Sequence, residues 1–155
     1  MTTEVLIHIK TQQSLRDRAA DDKDDVIELM VGGQYYFRNG THYLLYEEAM
    51  EGFKETTQNL VKFRGGFMEV RKKGTVQVTM TFEQGKKNIS MYKTPFGMIE
   101  MEFETKQVRI EGAGAGMEIC AEYVLGMAGN PIADCKMQML VVAKENAGEL
   151  QFFHE

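Results

Sequence analysis

Short runs in which apolar and polar side chains alternate constrain this chain more than any other feature. The apolar members are Val76, Val78, Met80 and Phe82 in one run, and Ile99, Met101 and Phe103 in another. Successive side chains of a β-strand point to opposite faces, so this spacing gathers each set onto one wall, whereas a helix would scatter it. We predict that both sets face the interior and that Thr81 faces solvent.

Glycines and Asn-Gly pairs interrupt these runs, and the chain has only two prolines. Strands are predicted over residues 4–11, 26–37, 42–47, 55–64, 67–73, 75–84, 87–94, 98–105, 107–111, 116–126 and 132–143. This spacing predicts a meander of hairpins. Asn39-Gly40 is typical of a type I′ turn, which needs positive φ at both central residues. Gly32-Gly33 inside the second strand predicts a bulge or sharp bend.

So many twisted strands would curl or split an open sheet. Closure into a barrel removes the exposed edges. The predicted fold is therefore all-β: a closed antiparallel up-and-down barrel of about eight to ten principal strands, with a β-sandwich as the alternative. The 155 residues are expected to form a single domain, 1–155. A polar loop is predicted at about 10–25, a polar connection at 47–53, and a short C-terminal tail at about 145–155.

The charge balance argues against a nucleic-acid partner. Acidic residues outnumber basic ones by 23 to 18, giving a net charge of −5, whereas nucleic-acid binders cluster Lys and Arg. The same balance argues against a membrane of anionic lipid. No signal peptide and no apolar segment of transmembrane length are visible, so we expect a cytoplasmic protein. Cys120 and Cys135 are then expected to be free thiols.

No residue pattern typical of catalysis is visible in the sequence. His8, His42 and His154 lack metal-binding spacing and are predicted to lie on the surface. The glycine-rich residues 112–116 precede a strand-like run rather than a helix, so they predict a hairpin loop and not a phosphate site. The glutamates at 100, 102 and 104 are typical of a solvated outer wall rather than a catalytic pair. We expect no enzymatic activity, no metal site and no cofactor.

The cysteines and methionines each allow two interpretations. Cys120 and Cys135 flank a predicted hairpin, and in some registers they would face each other across strands. The alternative is two small buried side chains. The chain has 12 methionines, and those in the predicted strands suit either gap filling in the core or a pocket that adapts to apolar ligands.

Several short motifs are similar to a known family. They are Lys72-Lys73-Gly74, Met80-Thr81-Phe82, Gly85, Thr105 and, most specific, Tyr92-Lys93-Thr94-Pro95-Phe96-Gly97. The chain resembles the uncharacterised bacterial YwiB-like family over about residues 26–143. That resemblance implies a lipocalin-like (calycin) β-barrel with no established activity. The family pattern has arginine where this chain has Lys72, and lysine would weaken a bidentate contact with an anion.

The segment 92–97 also has a purely structural interpretation. Thr94-Pro95 gives an extended entry to a turn, because proline fixes its own φ and restricts its predecessor. Phe96 is predicted to plug a barrel end, and Gly97 to supply positive φ.

If the barrel binds a ligand, we predict a pocket mouth near Lys72, Tyr92 and Thr94. The strands at 67–73 and 87–94 run in the same direction with one strand between them, so their ends meet at the same rim. Met80 and Phe82 are predicted to line the interior site. One cation, one phenol and one hydroxyl suit a small anionic or polar head group, with an apolar tail among the methionines.

Two functions remain open at this point. The first is a barrel that binds a small apolar or amphipathic ligand inside. The second is a structural or protein-interaction domain with a filled core and no ligand. A cavity with convergent polar groups favours the first, and a packed interior favours the second. The sequence identifies no ligand, partner, pathway or oligomeric state.

Overall fold

The computed structural model describes residues 2–17, 23–49, 51–113 and 116–146. Within these residues the chain forms ten strands and one 3-10 turn. They are β1 (Thr3–Leu15), β2 (Asp25–Arg38), β3 (Thr41–Ala49), β4 (Thr56–Arg64), β5 (Phe67–Lys73), β6 (Gln77–Glu83), β7 (Lys87–Thr94), β8 (Gly97–Ala113), β9 (Gly116–Met127), β10 (Asn130–Ala143) and the turn Lys144–Asn146. Each strand pairs with the next, and β1 pairs antiparallel with β10, so the sheet closes. The predicted antiparallel barrel is confirmed, and the sandwich alternative is wrong.

Several predicted boundaries change because polar side chains do not interrupt a backbone ladder. β1 continues through Leu15 and β2 begins at Asp25, so the loop prediction is wrong for residues 10–15 and for Asp25. β3 likewise extends to Ala49, into the predicted polar connection. Residues 18–22 of that loop, and residues 147–155 of the predicted tail, lie outside the described residues.

The two strands predicted at 98–105 and 107–111 form the single strand β8. A bulge between Thr105 and Gln107 shifts its register against β9. The turns at 65–66 and 84–86 fold against this bulge. Gly85 N donates to Thr105 O at 2.9 Å, and Thr105 N donates to Lys86 O at 3.0 Å. These bonds cover one end of the barrel, which we call the closed end.

Glycines serve the fold in two different ways. Asn39 and Gly40 have φ values of 52° and 78°, which confirms the predicted left-handed turn between β2 and β3. Gly33 pairs without any register shift, so the predicted bulge is wrong. A Cβ at Gly33 would lie 2.9 Å from Ile7 Cδ1 and 2.5 Å from Leu45 O, so close packing requires glycine there.

The alternation places the core inside the barrel as predicted. Val76, Val78, Phe82 and Phe103 are buried, and Met80 and Met101 pack against the core. The ring centroid of Phe82 lies 5.0 Å from that of Phe103 and 4.7 Å from that of Tyr123. Ile99 is the exception among the predicted interior residues, because it lies at the beginning of β8, beside the turn that follows β7, and is exposed.

The structure decides between the two interpretations of the cysteines. Cys120 lies opposite Gln138, and Cys135 lies opposite Tyr123, so the two thiols point to different faces of the wall. Both are buried and free, and the cross-strand alternative is wrong.

The predicted surface position holds only in part for His42, which is half-buried. It stacks on Phe63 with ring centroids 4.9 Å apart, and its Nδ1 lies 2.7 Å from the Tyr35 hydroxyl.

Candidate ligand-binding site

Three polar side chains meet inside the barrel at the end opposite the closed end, which we call the mouth. Lys72 Nζ donates to Glu48 Oε1 at 3.0 Å and to Asn59 Oδ1 at 2.8 Å. Asn59 Nδ2 donates to Glu48 Oε1 at 3.3 Å. Glu48, Asn59 and Lys72 thus form a closed network, which we call the polar triad. Asn59 is 2% exposed, and the other two side chains are partly buried.

Strand register brings the polar triad together. Asn59 on β4 lies opposite Tyr46 on β3 and opposite Lys72 on β5. Glu48 is two residues beyond Tyr46 and therefore shares its face. These positions continue an alternation whose other members, Leu44 and Val61, are in the core. The polar triad is consequently the last interior layer before the mouth.

A cavity of about 210 Å³ leads from the polar triad into the barrel. Glu48 and Lys72 line it at one side, and most of the remaining wall is apolar. The apolar lining includes Ile9, Leu29, Val70, Met80, Met137 and Met139. The volume lies below the range of about 300–1,000 Å³ that is typical of ligand pockets, so a fitting ligand is small. The interior is therefore packed toward the closed end and hollow toward the mouth.

Two phenols and one hydroxyl add polar character at this end. Burial raises the pKa of Tyr92, and the charge of Glu48 raises it further. The same two causes raise the pKa of Tyr46. Both phenols therefore remain protonated at neutral pH and can donate a hydrogen bond. Thr57 lies opposite Glu48, is fully buried, and has no hydrogen-bond partner for its hydroxyl among the described residues.

The structure places only some of the predicted site residues at the cavity. Lys72 and Met80 line the cavity, and Tyr92 lies within the electrostatic reach of Glu48. The prediction is wrong for Phe82, whose fully buried ring belongs to the aromatic cluster with Phe103. Lys72 also has a partner that the sequence did not reveal, because it forms an ion pair with Glu48.

Thr94 does not join the predicted convergence with Lys72 and Tyr92. Its Oγ1 donates to Gly97 O at 2.9 Å and accepts from Phe96 N at 3.1 Å. These bonds fix the turn between β7 and β8. That turn holds Phe96 away from the barrel, where it is 90% exposed, so the prediction that Phe96 plugs the barrel end is also wrong.

Sequence reasoning missed Glu48 and Asn59. Glu48 was assigned to a polar connection, although it continues the alternation of Leu44 and Tyr46. Asn59 lies inside a correctly predicted strand, but its partner Lys72 becomes visible only once β4 and β5 are in register. Alternation alone would have identified Glu48. Identifying Asn59 as a site residue requires knowledge of the strand pairing.

The described residues contain no group of three or more His, Cys, Asp and Glu side chains that could hold a metal ion. They also form no helix able to span a lipid bilayer.

Comparison with known proteins agrees with the barrel. The model of a family described as a domain of unknown function, DUF1934, matches residues 7–139. The chain belongs to this family. The uncharacterized β-barrel protein YwiB of Bacillus subtilis strain 168 is 31% identical over 107 residues, which are 69% of this chain and 70% of YwiB. The predicted resemblance to the YwiB-like family is thereby confirmed.

The crystal structure of the ywiB protein from Bacillus subtilis matches with a TM-score of 0.78 over 92% of both chains. The sequence identity in that match is 23%, so it shows a common fold and nothing finer. The DUF1934 relationship therefore supports the architecture and leaves the function to be argued from the site.

Proposed function

We propose that this DUF1934 barrel binds a small apolar or amphipathic molecule, with its apolar part in the cavity and its polar end at the polar triad. The observation that carries the proposal is the cavity itself, which is apolar along its walls and ends on Glu48 and Lys72. Ligand sites commonly combine apolar walls with a few convergent polar groups. The lipocalin-like architecture implied by the sequence resemblance agrees with an interior site.

The chemistry of the lining supports this ligand class. Met80, Met137 and Met139 supply flexible, polarisable side chains that adapt to an apolar partner.

A binding role is also more consistent with the polar triad than a catalytic one. Each member already uses a polar atom in a hydrogen bond to another member. General acid–base catalysis instead needs a group within reach of a substrate proton. We therefore propose that the protein is not an enzyme.

Isothermal titration calorimetry with octanol tests the proposal. Leu29 lines the cavity, and its neighbour Met30 is exposed on the same strand. Leu29→Trp should fill the cavity and abolish octanol binding, while the matched control Met30→Trp should bind like the parent chain. Absence of octanol binding to the parent chain, or equal binding to both variants, would contradict the proposal.

One observation favours the second candidate, a protein-interaction domain. The β7–β8 hairpin exposes Phe96 by 90% and Met98 by 62%, and clustered exposed apolar side chains often mark protein contacts. Native mass spectrometry of freshly purified protein separates the two candidates. A retained small molecule supports the first, and retained protein subunits without a small molecule support the second.

A further inference from the structure

An outer groove crosses the barrel wall between β6 and β7, near the mouth. These two strands share a single described pair, Gln77 with Lys93, so the wall is weakly bonded here. The groove has a volume of about 430 Å³. That volume falls within the range of about 300–1,000 Å³ typical of ligand pockets.

The groove cuts into the wall and approaches the interior cavity. Val78 lies opposite Lys72, and Ser90 lies opposite Met101, so both belong to the inward-facing alternation. Both nevertheless line the outer groove. Lys72 lines the groove and the cavity alike. Lys72 therefore belongs to the part of the wall that separates the two spaces.

The groove is positively charged although the chain has a net charge of −5. Its described lining includes Arg71, Lys72, Lys73 and Lys93 and contains no carboxylate. Lys72 pairs with Glu48 inside, and Arg71 contacts a carboxylate at 3.3 Å. Lys73 and Lys93 form no ion pair with any residue that the structure describes. An anion entering the groove would thus meet cations that the fold does not neutralise.

We infer that the groove holds the anionic end of an amphipathic ligand whose apolar part occupies the interior cavity. This inference rests on the proposed function, and it narrows the ligand class to small amphipathic anions. The polar end passes the polar triad beside the Lys72 stem and reaches Arg71, Lys73 and Lys93. Carboxylate and phosphate head groups share the acceptor chemistry that these donors recognise.

Octanoate and octanol form a matched probe pair, because they share an apolar chain and differ in the anionic end. Calorimetry at low ionic strength should show that the parent chain prefers octanoate by about tenfold, the size expected for one or two charge-assisted contacts. The double variant Arg71→Gln/Lys93→Gln should lose this preference and keep its octanol affinity. The control Arg109→Gln/Lys136→Gln removes the same charges elsewhere on the barrel and should keep the preference. Added salt should weaken octanoate binding selectively.

The outcomes separate the two proposals. If octanol does not bind, the proposed function fails and this inference fails with it. If octanol binds and the groove variant retains the preference for octanoate, only this inference is overturned. Leu29→Trp should abolish octanoate binding as well. Full octanoate affinity in that variant would show that groove and cavity do not hold one ligand, and would also overturn the inference.

Discussion

Lys72→Met tests whether the polar triad is a stabilising network. The substitution keeps most of the side-chain volume but removes the donor to Glu48 Oε1 at 3.0 Å and to Asn59 Oδ1 at 2.8 Å. Each hydrogen bond to a charged group contributes about 1.5–3 kcal/mol when well shielded. The Lys72 and Glu48 side chains retain 18% and 25% exposure, and Glu48 keeps the Asn59 donor. We therefore expect a net loss of about 2 kcal/mol in the free energy of unfolding.

Urea denaturation with a constant m-value measures this loss. Arg71→Met is the matched control, because Arg71 is the neighbouring residue, faces outward, and makes an exposed ion pair with Glu69 at 3.3 Å. Exposed pairs contribute about 0.2–1 kcal/mol. The double variant Lys72→Met/Glu48→Met should lose less than the sum of its single variants, since the pair is removed together. Equal losses at Lys72 and Arg71, with additive singles, would refute the reasoning.

Three further predictions concern the core, the histidine and the thiols. Phe82→Ala should cost about 3–5 kcal/mol in denaturant titrations because its ring is fully buried, whereas Thr81→Ala on the opposite face should cost little. Burial lowers the pKa of His42, so the unfolded chain binds that proton at higher pH. The free energy of unfolding should fall as pH drops below about 6.5, and His42→Gln should remove this part of the pH dependence. Burial raises the pKa of Cys120, and that of Cys135 to about 11. Both thiols should therefore alkylate only after unfolding at neutral pH, and mass spectrometry revealing a disulfide between them would contradict this.

The fold was predictable because period-2 alternation is a local property of the sequence. Val78 and Phe82 reveal their shared face without any knowledge of the neighbouring strands. The break predicted near residue 106 was not a chain turn, because the bulge there is held by tertiary bonds such as Thr105 N to Lys86 O. A bulge and a turn have similar local sequences, and only the bonds from another hairpin distinguish them.

The candidate site was less predictable because its geometry depends on pairing between strands. Lys72 was identified from its place at a strand end, but its partners Glu48 and Asn59 come from two other strands. Thr94 shows the opposite failure. Its position suited the rim, yet its hydroxyl is used by its own turn. A strand end fixes where a residue lies, and the local hydrogen bonds decide what its side chain can bind.

The strand register also determines what the lysine at position 72 can contact. A lysine would make a weaker anion contact than an arginine if its side chain reached out of the barrel. Lys72 instead points inward, and its ammonium group satisfies acceptors on β3 and β4. A compact ammonium with rotatable donors serves two acceptors from different strands, whereas the planar fork of arginine suits one carboxylate. Because Lys72 is paired with Glu48, the remaining cations near the mouth are Arg71, Lys73 and Lys93, which line the outer groove. The anion contact that we propose therefore rests on the outer groove and not on residue 72 itself.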